Sequence, residues 1–423
     1  MKNNYLIFIL FIFGSLNYSC SNSESTSKIN FAYKYDPEPS IIRPQFKIFH
    51  LSEELSNFYF GINSKEVLYT KISGDTAYEA NLKIKYKLYN QTDPKNLIDS
   101  ATFQMRDTTT EGNFDKVLFG GFTLKAASNS NFFLEIRIRD ENRDLNTVEF
   151  FNFNKSAAIT NGHFLLLDSA NFPILNDQVR ENETFSIVKS PWLVEDKFVF
   201  NYFESPFGMA PPPFSKNGIN YELPTPDNTE QLVLISDTTK IAPEKTGFYS
   251  LTFSESQSEE MFNFLIVNKE YPILGDVNQL LAPTRFISTQ KEYDKLLSSS
   301  NIKEGVDEFW LNITKDFNRA KQILGTYYGR VESSNRFFTD AQEGWKTDRG
   351  LIYLIYGAPS TIYKGYNYEK WIYGEESNML AISFSFKRVE TKISTNTYIL
   401  ERNSTYKSSW YKAVDNWRQG RVY

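Results

Sequence analysis

The sequence predicts a mostly β protein that ends in an α+β domain: two tandem β-sandwich, Ig-like domains precede a domain of helices and an antiparallel sheet. Three observations predict this class. Apolar and polar residues alternate over residues 46–154, strand-like runs continue to about residue 267, and a helical period begins only near Pro283. The 423 residues provide for two to three domains, since one domain takes roughly 100–200 residues.

The composition excludes several classes of function. The chain has 46 Lys and Arg against 51 Asp and Glu, and this acidic balance argues against a nucleic-acid binder. It has one Cys and two His, so a disulfide framework, a cysteine-based zinc site and a histidine-rich metal cluster are excluded. We therefore predict no metal and no cofactor.

The amino terminus has the layout of an export signal. Lys2 precedes an apolar run over residues 5–13, which is too short to span a bilayer, and small residues lead to Cys20. This layout resembles a bacterial lipoprotein signal, although Asn17 stands where such signals usually have Leu. The resemblance implies that residues 1–19 are cleaved, that Cys20 is lipidated, and that residues 20–30 form a tether. The alternative is an ordinary secretory signal with an incidental cysteine.

The first sandwich is predicted over residues 31–155. Its clearest strand covers residues 79–89, where apolar side chains on one face alternate with charged and polar ones on the other. Further strands are predicted at residues 58–62, 133–139 and 148–153. Short strands separated by turn residues are typical of a β-sandwich.

The second sandwich is predicted over residues 156–280. Its strands are expected at residues 184–188, 197–203, 230–236, 247–253 and 261–267. Between them lies a stretch with three successive prolines at residues 211–213, which cannot join a central ladder. Two interpretations stay open for this stretch: a plain loop, or a docking strip for a partner.

The third domain is predicted over residues 281–423. Thr289 and Glu292 form a capping box, and apolar residues spaced three and four apart predict a helix over residues 315–339. Strands are predicted at residues 350–357, 366–373, 379–388 and 396–401. Trp410 and Trp417 lie on one face of a closing helix.

One motif stands between the long helix and the first of these strands. It reads Gly344-Trp345-Lys346-Thr347-Asp348-Arg349-Gly350, and it resembles the signature of the GWxTD-domain family. The resemblance extends over residues 283–401. It includes these further residues: Phe309, Trp310, Tyr327, Tyr328, Arg330, Val331, Asn335, Phe337, Tyr356, Gly357, Pro359, Glu369 and Trp371.

The resemblance implies a cellular location but no particular reaction. Family members are typically secreted or lipidated envelope proteins of Bacteroidetes, often with β-rich domains ahead of the motif domain. The family has no established reaction, so it supplies no catalytic residues for this chain. With Cys20, it implies a lipoprotein of the cell envelope. Ser21, rather than an acidic residue, follows Cys20, and by analogy with other bacterial lipoproteins this indicates the outer membrane. The periplasmic and the surface face both stay open.

Two interpretations of the motif follow from its residues. In the first, it is a structural or binding corner: Thr347 and Asp348 bond local backbone groups, Asp348 pairs with Arg349, Arg330 or Arg336, and Trp345 caps the sheet or lines a cleft. In the second, Asp348 and a second carboxylate at Glu369 act as an acid/base pair, as glycosidases require.

Other catalytic signatures are absent from the sequence. It has no G-x-S-x-G elbow, no H-E-x-x-H, no Walker loop and no G-x-G-x-x-G. A Ser-His-Asp triad would have to use His50 or His163, and both are expected at ordinary surface positions.

The leading hypothesis is a lipid-anchored, non-enzymatic envelope protein. The GWxTD domain would bind an envelope-protein partner, with the sandwiches as spacers, and the membrane would be reached through Cys20. The first alternative is a glycan-binding surface in which Trp345, Trp371, Tyr366 and Tyr368 stack on sugar rings. The second is a hydrolase that uses Asp348 and Glu369.

Overall fold

The structure is a computed structural model. It describes residues 29–422 except 38–40, 72–73, 75, 111–114, 156–159, 235–239, 254–260, 366, 390, 392 and 395–396. The predicted signal peptide, Cys20 and most of the predicted tether lie outside the described residues, as does Tyr366.

The first sandwich consists of two antiparallel sheets, as predicted. One has the order β1-β2-β6; the other has the order β3-β4-β7-β8, with β5 also paired to β4. The inward side chains of the predicted strand over residues 79–89 are buried between the sheets, and Tyr86 stacks on Phe122 at 4.3 Å. The strands are β1 (Gln45–His50), β2 (Leu55–Asn63), β3 (Thr70–Lys71), β4 (Tyr78–Asn90), β5 (Asp93–Thr109), β6 (Val117–Lys125), β7 (Ser130–Asp140) and β8 (Leu145–Lys155).

The second sandwich also has two sheets. One has the order β10-β16-β15-β12-β13 and the other β14-β11-β9. Aromatic residues fill the space between them, where Phe164 stacks on Phe262 at 5.1 Å. The strands are β9 (Phe164–Leu167), β10 (Gln178–Arg180), β11 (Phe185–Lys189), β12 (Lys197–Phe203), β13 (Asn228–Val233), β14 (Lys240–Ile241), β15 (Gly247–Phe253) and β16 (Met261–Val267).

The C-terminal domain packs helices on a four-stranded antiparallel sheet of order β17-β18-β19-β20. The predicted capping box is present, because Thr289 and Glu292 bond each other's backbone amides. The predicted long helix begins after Asp316, whose side chain accepts from Arg319 N. The elements are α1 (Asn278–Leu281), α2 (Gln290–Leu297), α3 (Ile302–Thr314), α4 (Phe317–Phe338), α5 (Asp348–Tyr356), β17 (Thr361–Lys364), β18 (Tyr368–Tyr373), β19 (Ile382–Val389), β20 (Thr397–Leu400) and α6 (Tyr406–Arg418).

One predicted element is wrong: residues 350–357 form most of helix α5 rather than a strand. The Thr347 side chain accepts from Gly350 N and caps the helix start, and Gly357, at φ 83°, ends it. Residues 351–355 are all buried, so the helix is apolar on every side. A short apolar run of this kind fits a buried strand and a buried helix equally well. The edge strand β17 was not predicted.

The segment that follows the predicted tether packs on the C-terminal domain, although the predicted boundaries assign it to the first sandwich. Phe31 and Tyr35 belong to the core formed by the helices and the sheet. Phe31 N donates to Ile362 O at 2.9 Å, and Ile362 N donates to Asn30 Oδ1 at 3.0 Å. The amino-terminal segment therefore runs along the edge strand β17.

Both histidines lie where the two sandwiches meet, and the prediction that they occupy surface positions is wrong. His50 and His163 are buried, and their rings lie 5.0 Å apart. Burial lowers the pKa of His50 to about 3 and that of His163 to about 4. Both rings are therefore neutral at pH 7, and Ser56 Oγ lies 2.9 Å from His50 Nδ1.

Candidate functional site

The motif turn lies in close contact with α4 because two of its residues have no side chain. A Cβ on Gly344 would lie 1.9 Å from Ser334 O, and a Cβ on Gly350 would lie 1.9 Å from Gly344 O. Both neighbours are backbone atoms, so they cannot swing aside as a flexible side chain does. The two glycines therefore bring α4, the turn and α5 into direct backbone contact.

Trp345 and Thr347 complete this turn from inside the domain. Trp345 is buried, and its ring meets that of Phe286 edge to face at 6.0 Å. Thr347 Oγ1 donates to Gly344 O at 2.7 Å and accepts from Gly350 N at 3.1 Å. The hydroxyl thus satisfies one group of the turn and one amide of the helix start.

Asp348 joins three parts of the chain through its carboxylate. Oδ2 accepts from Leu400 N at 2.8 Å at the end of β20. Arg402 donates to both oxygens, at 3.0 and 2.5 Å, and its Nη2 also donates to Pro211 O at 3.1 Å. The partner of Asp348 is therefore Arg402, and the predicted pairing with Arg349, Arg330 or Arg336 is wrong.

The proline-containing stretch of the second sandwich binds to this same corner. Ala210 N donates to Lys346 O at 2.8 Å, and Asn403 N donates to Pro213 O at 3.1 Å. Phe207 and Ala210 are buried. Among the described residues, the stretch thus docks on the motif of its own chain.

Arg349 belongs to a different set of contacts, a buried charge cluster around Glu369. Arg349 Nη1 lies 3.3 Å and Lys364 Nζ 2.8 Å from Glu369 Oε1. Tyr35 Oη donates to the same carboxylate at 3.0 Å, and Trp371 Nε1 donates to Oε2 at 2.9 Å. Two cations and two neutral donors therefore surround one carboxylate.

This environment determines the protonation state of Glu369. Burial raises the pKa of its carboxyl, but Lys364 and Arg349 outweigh burial and lower the pKa to about 2. A general acid in a glycosidase needs the opposite shift, a pKa raised toward neutrality. Asp348 and Glu369 are both fully buried and paired with cations, so they fit the structural interpretation of the motif better than the acid/base one.

The aromatic platform proposed for sugars is not formed by the two tryptophans. Trp345 is 3% exposed and Trp371 is 0% exposed, so neither ring can stack on a sugar. Trp371 instead packs on Phe386 at 4.7 Å. Tyr368 is 39% exposed.

The remaining motif residues close the carboxyl end of α5. Tyr373 Oη donates to Gly357 O at 2.9 Å, and the ring of Tyr356 lies 5.0 Å from that of Phe384. Trp417 Nε1 donates to Ile355 O at 3.0 Å. Pro359 is buried at the turn into β17.

A crevice of about 1940 Å³ opens beside the charge cluster. All three domains line it: Phe119 from the first sandwich, Phe172 and Asp177 from the second, and Arg336 and Tyr398 from the C-terminal domain. Arg349 and Lys364 also line it. This crevice lies between the domains, and none of residues 344–348 lines it.

Residues 247–419 match the family model of the GWxTD domain. The chain carries a GWxTD domain. The match confirms the resemblance seen in the motif residues, and it begins at the first residue of β15. The family match assigns no reaction to the domain.

Other comparisons add little to this. A Bacteroides uniformis beta-glucuronidase 2, covalently bound to cyclophellitol-6-carboxylate aziridine, is similar over 36% of this chain and 15% of its own, with 9% sequence identity and a TM-score of 0.17. This similarity is too weak to bear on function. A comparison with curated proteins finds no match.

Two features are absent from the part of the chain that the structure describes. No helix there combines the length and the hydropathy that crossing a membrane requires. No group of three or more His, Cys, Asp or Glu side chains there is placed to hold a metal ion.

Sequence reasoning found the motif residues but missed their partners. Tyr35 is 334 residues from Glu369, and Arg402 is 54 residues from Asp348. Lys364 lies on the strand that was not predicted. No local spacing marks any of the three, because the fold alone brings them to the motif.

Proposed function

We propose that this chain is a lipid-anchored outer-membrane protein of the cell envelope that binds an envelope-protein partner and catalyses no reaction. The observation that carries the proposal is that the charged residues of the motif bond within the chain. Asp348, Arg349 and Glu369 are all buried and have partners in the same chain. Such a motif holds domains in place. The crevice beside it is an accessible feature that a partner can enter.

Contacts between the domains support a crevice with fixed walls. Lys47 of the first sandwich pairs with Asp177 of the second at 2.7 Å, with both side chains largely buried. Asn263 Nδ2 of the second sandwich donates to Ile393 O of the C-terminal helix-and-sheet domain at 2.9 Å. A partner would thus meet a surface already arranged for it, which lowers the entropy cost of binding.

The anchor is tested in cells that are fed an alkyne-tagged fatty acid. The wild-type chain should incorporate the tag and lose residues 1–19, and Cys20→Ala should do neither. Export of an untagged wild-type chain would favour the ordinary secretory signal instead.

The crevice is tested with a photo-crosslinking amino acid at Phe172, a crevice residue that is 55% exposed. The matched control is Phe317, which is 69% exposed at the start of α4 and outside the crevice lining. A crosslink to one identified envelope protein from position 172, and not from 317, is expected. Equal crosslinking from both positions, or none from either, would overturn the proposed binding site.

A further inference from the structure

The loop between β18 and β19 carries the most exposed apolar pair of the described chain. Met379 is 99% exposed and its neighbour Leu380 is 86% exposed. Other strongly exposed apolar side chains have no equally exposed apolar neighbour: Phe317 lies between Asp316 and Asn318, and Val194 follows Leu193, which is partly buried. Two adjacent side chains of this kind leave apolar area in water that a partner or a bilayer would cover.

The loop presents this pair in a defined shape. Asn378 N donates to Glu375 O at 2.9 Å, and Ala381 N donates to Asn378 O at 2.9 Å. Asn378 Oδ1 accepts from Leu380 N at 2.9 Å. Tyr363 Oη also donates to Glu376 Oε2 at 2.8 Å, which connects the loop to β17.

The amino-terminal segment enters the structure at the same end of the sheet. Asn30 Nδ2 donates to Ser360 O at 3.1 Å, and Gly374 N, the first residue after β18, donates to Ser360 Oγ at 3.2 Å. Ser360 therefore contacts both the segment that leads back to Cys20 and the first residue of the loop that carries Met379. Ten residues separate Cys20 from Asn30 and span at most about 35 Å.

We propose that Met379 and Leu380 dip into the lipid bilayer beside the anchor and orient the GWxTD domain on the membrane; this inference rests on the proposed lipidation of Cys20. Short apolar side chains at a loop tip reach the boundary between headgroups and acyl chains, where amphipathic segments also bind. Glu375 and Glu376 precede the pair in the same loop, so the loop suits zwitterionic rather than anionic lipid. The lipid on Cys20 would supply the affinity for the membrane, and the loop would fix the orientation of the domain on it.

The test uses the lipidated mature protein in phosphatidylcholine–phosphatidylethanolamine vesicles whose acyl chains are brominated. Met379→Cys is labelled with an environment-sensitive fluorophore, and Val194→Cys, at a position 95% exposed in the second sandwich, is the matched control. Cys20 is the chain's one cysteine, and its thiol is consumed by the lipid, so each variant should take one label. Both positions are exposed enough for substitution without disturbing a core.

Bromine quenching and a blue shift at position 379, with neither at position 194, are the expected result. One label per chain with no quenching at 379 would overturn the loop's role while leaving the anchor intact. Equal quenching at both positions would also overturn it, since the whole surface would then adsorb. Two labels per chain would show a free Cys20 thiol and refute the proposed anchor itself. A blue shift in native membranes without quenching by brominated lipid would assign the loop to a protein partner, which contradicts the inference.

Discussion

A methyl group at Gly344 should separate the motif turn from α4. The Cβ of Gly344→Ala would lie 1.9 Å from Ser334 O, 2.6 Å from Ser334 C and 2.8 Å from Asn335 Cα. Real Cβ atoms do not come closer than 3.0 Å to such neighbours. The turn must therefore move away from α4 by about 1.1 Å, the difference between 3.0 and 1.9 Å.

The cost of this movement can be worked out from packing. Inserting a methyl group into a well-packed core costs about 1–3 kcal/mol. The obstacle at Gly344 is helix backbone, which cannot rotate away as a side chain can. We therefore expect a destabilisation at the upper end of this range, about 3 kcal/mol. The shift would also loosen Trp345, whose ring is buried on Phe286.

Hydrogen exchange of the folded chain is the suitable assay, because a three-domain protein need not unfold in a single step. Exchange in α4 and α5 should speed up in Gly344→Ala. Gly329→Ala is the matched control. Gly329 lies in α4, the helix that Gly344 contacts, and nothing lies within 4 Å of its Cβ position. Alanine there should stabilise α4 by up to about 1 kcal/mol. If Gly344→Ala exchanges as slowly as Gly329→Ala, the close-packing argument is refuted.

Three further predictions concern buried ionisable groups. Asp348→Asn leaves the Arg402 guanidinium without its carboxylate, so the opening free energy of α5 measured by hydrogen exchange should fall by about 3–5 kcal/mol; an unchanged exchange rate in α5 would contradict this. Glu369→Gln leaves two buried cations without their counter-charge, so Tm should fall markedly, whereas a Tm equal to wild type would mean that the cluster contributes nothing. His50 and His163 have folded pKa values near 3 and 4 against about 6.5 when unfolded, so the unfolded chain binds more protons and stability is lost as pH falls below about 6.5. The loss at pH 5 should be about 2 kcal/mol per histidine, and a His50→Gln variant should show a smaller drop in Tm between pH 7 and pH 5 than wild type.

The sandwiches could be predicted from sequence because strict alternation has one simple explanation. In β4, every second side chain from Ala80 to Leu88 is apolar, and these side chains are buried. A one-residue slip would place all of them in water. The pattern therefore determines both the strand and the face it buries.

Helix α5 could not be predicted in the same way, because nothing in its apolar run alternates or has a polar face. Its ends were the usable signal. Thr347 stands where a helix cap belongs, and Gly357 takes a left-handed backbone that ends a helix. Weighing these two residues above the apolar run would have predicted a helix over residues 348–356.

The candidate site was predictable as a set of motif residues but not as a geometry. The Gly344 and Gly350 contacts depend on how α4 crosses the turn, and the Asp348 partner comes from beyond β20. The two histidines were misplaced for a similar reason: the junction that buries them forms only when both sandwiches are folded. Spacing along the chain carries no information on such contacts.

The bond between Phe31 and Ile362 also constrains the order of biogenesis. A chain synthesised from its amino terminus presents Phe31 and Tyr35 long before their docking groove exists, since Asn30 and Ser360 are 330 residues apart. Contacts between residues so far apart in the sequence form slowly compared with local folding. The docking of the amino-terminal segment must therefore come late in folding, and a polypeptide truncated before β17 would leave two aromatic side chains exposed to water.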